Sequence, residues 1–184
     1  MRSHALLLSL LCVTGVAHAA PATDAEVKAV MQQLSMGTLG KDMAKMMVDN
    51  LPALDSLPEA DRECAHTPIK DLLDAEFRRS VIAGLGTDGD EVIAEWSRFL
   101  ATPAGKGLAS AFAAAGPETM AARTHAVLSE KERADAAAFL ASPAYTRFIA
   151  TFDTESGLPD DIGVRLAKGL QDQCRIVLAP DEIA

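Results

Sequence analysis

The sequence has 184 residues and a formal net charge of −9; 49% of its residues are hydrophobic and only 4% aromatic. An acidic chain without basic runs argues against nucleic-acid binding, which depends on neutralising phosphates, and against an anionic membrane surface. The length suits one domain with a real core, and no Gly-rich, Ser-rich or low-complexity linker divides it.

Residues 1–19 read as a secretory leader. Arg2 supplies the positive start, residues 5–16 the apolar stretch, and Ala17-His18-Ala19 a small-x-small cleavage site. The apolar run is too short for a membrane span. Cys12 raises a lipoprotein reading, but Leu11 stands where a small residue is wanted. Cleavage near Ala19 removes one positive charge and no acid, so −9 becomes −10, and residues 20–184 remain as a single all-helical domain. The expected location is periplasmic or secreted, with no membrane span after processing.

The first helix opens with a capping box, Thr23-Asp24-Ala25-Glu26, and continues with Val27, Val30, Met31 and Leu34 at helical spacing. Gly37 and Gly40 interrupt. A second segment places Met43, Met46, Met47 and Leu51 on one side, and Pro52 and Pro58 mark a break and a new start. Met43, Met46 and Met47 have the i, i+3, i+4 spacing of a buried stripe. Together with Met31 and Met36 they also form a thioether set of the kind that holds Cu(I), a soft cation selected by soft ligands. Thr67-Pro68 is a cap-and-proline device that predicts a helix start, with Ile69, Leu72, Leu73, Phe77 and Val81 inward and Gly84 or Gly86 at the end.

Cys64 and Cys174 are the only cysteines left after the leader. An even pair in an exported chain reads as a disulfide. The alternatives are a reactive thiol, or a metal site using Cys64, His66 and Cys174 with no evident fourth ligand.

A helix–break–helix pattern then occurs twice, about forty positions apart, in residues 88–115 and 129–152. A period near forty suits a two-helix repeat unit. Phe99 matches Phe139, Leu100 matches Leu140, Pro103 matches Pro143, and Phe112 matches Phe152. Thr102 and Ser142 precede the prolines as N-caps, and the residue before proline ends the preceding helix. Asp88-Gly89-Asp90-Glu91 caps the first copy, with Val92, Ile93, Trp96, Phe99 and Leu100 inward; Ser129-Glu130-Lys131-Glu132 is a capping box for the second. Residues 117–128 read as a linking helix with Met120, Thr124, Val127 and Leu128 on one face. Residues 153–161 form a polar turn. A last helix carries Ile162, Leu166, Leu170, Cys174 and Val177 until Ala179-Pro180 stops it. No stretch alternates as a strand does. The fold class is all-α, a multi-helix bundle of short helices containing the two repeats.

Catalytic patterns are scarce. Only His66 and His125 survive processing, and neither has a partner in sequence. There is no nucleophile elbow, zinc-protease helix, phosphate loop or dinucleotide fingerprint. Two acidic turns, around Asp88, Asp90 and Glu91 and around Asp153, Glu155, Asp160 and Asp161, lack the ligand alternation of a calcium loop and complement helix N-termini instead.

The run F-L-A-T-P-A-G-K at 99–106 resembles the signature of a family of exported bacterial helical proteins, domain of unknown function 2059. The matching residues are Phe99, Pro103, Gly105 and Lys106. The second copy keeps Phe139 and Pro143 but carries Tyr145 where the glycine would be. The Leu/Met-rich segment 34–54 is similar to the stretch upstream of that signature. The resemblance implies a periplasmic helical protein and brings no catalytic residues.

These residues point to an exported binding or scaffolding module for an unknown envelope protein or ligand, without a cofactor. The alternative is copper or other metal handling by the methionines; an unrecognised hydrolase ranks last. Gly105 and Gly107 lie just inside a helix, where glycine costs roughly 0.5–1 kcal/mol relative to alanine. Because Tyr145 and Arg147 stand at the equivalent positions, the hairpin itself is not expected to need glycine. Close packing of another helix, or a partner's docking surface with Lys106 on the rim, then accounts for the pair.

Overall fold

The computed structural model describes residues 19–114, 126–152 and 159–183. Every regular element among them is helical. α1 is Asp24–Gln33 and is followed by a 3-10 turn at Met36–Thr38; α2 is Leu39–Asn50, α3 Pro52–Asp55 and α4 Glu59–Leu85. α5 is Gly89–Leu100, α6 Pro103–Ala114, α7 Glu130–Leu140, α8 Pro143–Ala150 and α9 Ile162–Cys174. Most of the expected leader, most of the linking helix with Met120, Thr124 and His125, and the turn residues Asp153 and Glu155 lie outside the described residues.

α4 departs from the expectation of short helices. It is 27 residues long and continues through Thr67-Pro68, so the expected start there does not occur. Proline inside a helix forfeits the bond to the carbonyl four residues earlier and costs about 3 kcal/mol or more. Two contacts offset this. The residue four back is Cys64, whose side chain is bonded to Cys174 of α9 with a Cα–Cα distance of 5.8 Å. Pro68 itself is buried, close to Gly169 of α9. α9 is thus fastened to α4 at the turn that proline weakens.

Two cores share α4. Its first half packs with α2, α3, α9 and the C-terminal residues around Ala44, Val48, Leu54, Ile69, Leu166 and Leu170. Its second half packs with α1 and with α5 to α8 around Val30, Val81, Trp96, Phe99, Phe139 and Phe148. Glu76 links the two regions. It is 6% exposed, accepts from Arg79 at 2.7 Å on both oxygens, and pairs with Arg165 of α9.

α2 corrects the predicted methionine stripe. Its buried side chains are Ala44 and Val48, while Met43 is 39% and Met46 65% exposed. The small face wins because α2 runs close to α4: a Cβ at Gly40 would sit 2.0 Å from Asp74 Oδ1. Gly40 therefore does not interrupt α2; it lies inside the helix at the closest approach. Met31 and Met36 belong to one core and Met47 to the other, so the five thioethers are divided between two cores and the surface.

Two helix ends also differ from expectation. Asp88 stands at the start of α5 but makes no capping bond. Its carboxylate is taken by Arg147 of α8, whose guanidinium donates at 2.6 and 2.7 Å and also reaches the Leu85 carbonyl at 2.7 Å. α9 ends at Cys174, with Arg175 left-handed at φ 60°. Val177 lies beyond that end and is 77% exposed, so it is not part of the buried stripe.

Candidate functional site

The residues of the F-L-A-T-P-A-G-K run build a corner. Pro103 begins α6, and the Thr102 hydroxyl accepts the Gly105 N–H at 3.0 Å while donating to the Phe99 carbonyl at 2.6 Å. The second corner does the same with less: Ser142 accepts the Tyr145 N–H at 3.2 Å ahead of Pro143. The first corner is tighter. A Cβ at Gly105 would lie 2.1 Å from the Phe99 carbonyl oxygen. The expectation that this hairpin does not need glycine is therefore corrected for the first copy, where a side chain at 105 would meet the backbone of α5. A Cβ at Gly107 would meet Leu128 Cδ2 at 2.2 Å, which is internal packing.

The two helix pairs face each other head to tail. α5 packs on α8, and α6 on α7. Phe99 and Phe139 stack with ring centroids 3.8 Å apart. Trp96 is 1% exposed, lies 4.8 Å from both Phe139 and Phe148, and donates its indole N–H to the Ala144 carbonyl at 3.2 Å. Equivalent residues meeting each other is the sign of an approximate two-fold arrangement. Phe152 stacks on Phe77 of α4; the side chain of Phe112 lies outside the described residues. Phe99, Pro103, Gly105, Phe139 and Pro143 are thus spent on packing and caps. Lys106 is exposed and, unlike the exposed prolines that open α6 and α8, has no side-chain part in a helix start.

Lys106 lines an open groove of about 380 Å³ with Gln33, Ser35, Leu100, Ala109 and Ser110. Ser35 is left-handed at φ 58°, a conformation that a non-glycine residue rarely adopts, at the end of α1. A second cleft has a volume of about 440 Å³. It lies between α1, the 3-10 turn and α4, and is lined by Lys28, Met31, Gln32, Gly37, Lys70, Asp71, Asp74 and Arg78.

The charges in this cleft are held in place. Asp74, seated over Gly40, accepts from Lys70 at 2.8 Å. Arg78 donates to Asp24 at 2.7 Å and to the Asp74 carbonyl at 3.0 Å. The hydrogen bond to Asp74 raises the Lys70 pKa above its ordinary 10.5, so this ammonium stays charged throughout the neutral range. Among the described residues, Lys28 has no carboxylate within ion-pair distance. Sequence reading did not find this site, because its residues come from segments some forty positions apart and none forms a motif.

Metal chemistry finds fewer partners. Cys64 and Cys174 are joined to each other, which removes both from a site with His66. Among the described residues, no three His, Cys, Asp or Glu side chains converge to hold an ion. No helix among the described residues is long and apolar enough to cross a membrane. No family model, curated protein or solved structure matches the chain.

Proposed function

We propose that the chain is an exported helical binding module that works in the periplasm or outside the cell after losing its leader. The observation that carries this reading is the cleft between α1 and α4. In a chain of net charge −9, three cations and two carboxylates, Asp71 and Asp74, line about 440 Å³. Two of the cations are positioned by Asp24 and Asp74, and Lys28 has no ion-pair partner among the described residues. Such a cleft suits a small ligand with an anionic group, which Lys28 and Arg78 bind while Gln32 and Asp71 orient the rest. The disulfide supports export, because such bonds persist in oxidising compartments. The run at 99–106 supports kinship with the exported family it resembles.

The test is titration of the processed protein with phosphate, acetate, succinate and glycine, followed by amide chemical shifts around Lys28 and Lys70. Loss of one charge-assisted contact in Lys28→Ala is expected to weaken binding about tenfold. Crosslinking in the native envelope then identifies the natural partner. If no anion binds at the cleft, and a crosslinked partner is indifferent to Lys28→Ala and Arg78→Ala, the cleft is not the site.

A second reading is copper or other metal handling. The exposure of Met43 (39%) and Met46 (65%) favours it, since packing does not explain these thioethers. A Cu(I) competition assay on the parent and on Met43→Leu/Met46→Leu separates the two readings.

A further inference from the structure

The geometry points to the Ala19–Ala20 bond as the processing site and to Asp90 as the receptor for the new N-terminus. This rests on the proposed export of the chain. Ala20 and Asp90 bond reciprocally: the Ala20 N–H donates to Asp90 Oδ1 at 3.1 Å, and the Asp90 N–H donates to the Ala20 carbonyl at 3.0 Å. The backbone that follows is also seated. Ala22 is 4% exposed, and its nitrogen lies so close to Gly89 that a Cβ there would be 3.0 Å away. Thr23 then starts α1, with its N–H on Glu26 at 2.9 Å. Ala19 and Ala20 are exposed. Among the described residues, Ala20 is thus the first whose backbone is bonded to a helix, and the exposed Ala19–Ala20 bond is open to a peptidase. Ala17-His18-Ala19 is the small-x-small pattern that leader peptidases read.

Hydrolysis changes the donor. Water adds across the bond; Ala19 leaves with the leader as a carboxylate, and Ala20 keeps the nitrogen as an ammonium. An amide with one hydrogen becomes a cation with three, already at bonding distance from a carboxylate. Charge-assisted hydrogen bonds are roughly twice as strong as neutral ones. The positive end of α5 opposes the ammonium, but Asp90 Oδ1 already accepts the Glu91 N–H at 2.8 Å and screens that end. Cleavage thereby clamps α1 to α5, two helices of the aromatic core. A chain cut one residue earlier would carry its ammonium past Asp90, and one cut later would lose the reciprocal pair.

The test has two arms. N-terminal sequencing of protein recovered from the envelope should read Ala-Pro-Ala-Thr. Retention of Met1 would overturn export itself; a start at any other residue would overturn this inference alone. The second arm compares purified chains beginning at Ala20 with chains carrying one extra residue, each with Asp90 and with Asp90→Asn. The chain beginning at Ala20 is expected to melt about 1–4 °C higher, with the difference abolished by Asp90→Asn. Equal melting of the two Asp90 chains, or a difference that survives Asp90→Asn, would show that Asp90 does not receive the terminus.

Discussion

Gly105→Ala asks whether the α5–α6 corner, and not a partner, explains this glycine. The added Cβ would lie 2.1 Å from the Phe99 oxygen, 2.6 Å from its carbonyl carbon and 2.7 Å from Leu100 Cα. These are backbone atoms, which cannot swing aside as a side-chain tip can. Non-bonded carbons settle at about 3.5–4.0 Å, so α6 has to shift by on the order of 1 Å. That shift also strains the Thr102 cap. Overpacking of this kind costs about 1–3 kcal/mol. Alanine recovers at most about 1 kcal/mol through helix propensity. The net loss is about 1–2 kcal/mol, which lowers the melting temperature of a chain this size by about 2–8 °C. Trp96, the sole tryptophan and 1% exposed, reports unfolding by its emission. Gly37→Ala is the control: its Cβ meets nothing within 4 Å, so it should be neutral or slightly stabilising. If Gly105→Ala melts at or above the parent temperature, the corner argument fails and a docking role for the glycine returns.

Three further outcomes are expected. Alkylation without reductant should add no label at Cys64 or Cys174, and reduction should cost up to about 4–5 kcal/mol, the entropic value for a loop of about 110 residues; two labels on the unreduced protein would contradict the bridge. Peroxide should oxidise Met43 and Met46 quickly in the native protein and Met31 slowly, as read by peptide mass mapping, since Met31 is 6% exposed; equal rates would mean that α2 packs otherwise. Acid should destabilise the fold through Glu76: burial raises its pKa, but Arg165 and Arg79 outweigh that and hold it below the ordinary 4.5. A carboxyl depressed in the folded state stabilises above its unfolded value and loses that contribution as pH falls through the lower, folded value. Denaturation curves should therefore weaken below about pH 4.5, and less steeply in Glu76→Gln; an unchanged slope in that variant would assign the acid sensitivity elsewhere.

The all-α class was legible in the sequence because caps, prolines and helical spacing act within a turn or two of chain. Thr23 and Ser129 form their capping boxes, and Ser142-Pro143 starts a helix, all from residues at most three apart. The disulfide followed from counting once Cys12 was assigned to the expected leader, since the two remaining cysteines allow one pairing. Local signals failed where a distant partner outbid them. Pro68 reads as a helix start until α9 and the Cys64 bridge support α4 through it. The methionines of α2 are its most hydrophobic stripe, but Gly40 lets the helix approach α4 closely, and only the small face of Ala44 and Val48 fits. Asp88 looks like a cap until Arg147, 59 residues away, takes its carboxylate. The cleft at Lys28 and Lys70, the Glu76–Arg165 pair and the Ala20–Asp90 pair join groups from separate helices, and no periodicity in the chain encodes such meetings. Sequence alone determined the all-α class and several helix starts; only the tertiary structure decided where α4 runs on through Pro68, which faces the helices bury and which charges they bring together, because those choices depend on how closely two backbones can approach.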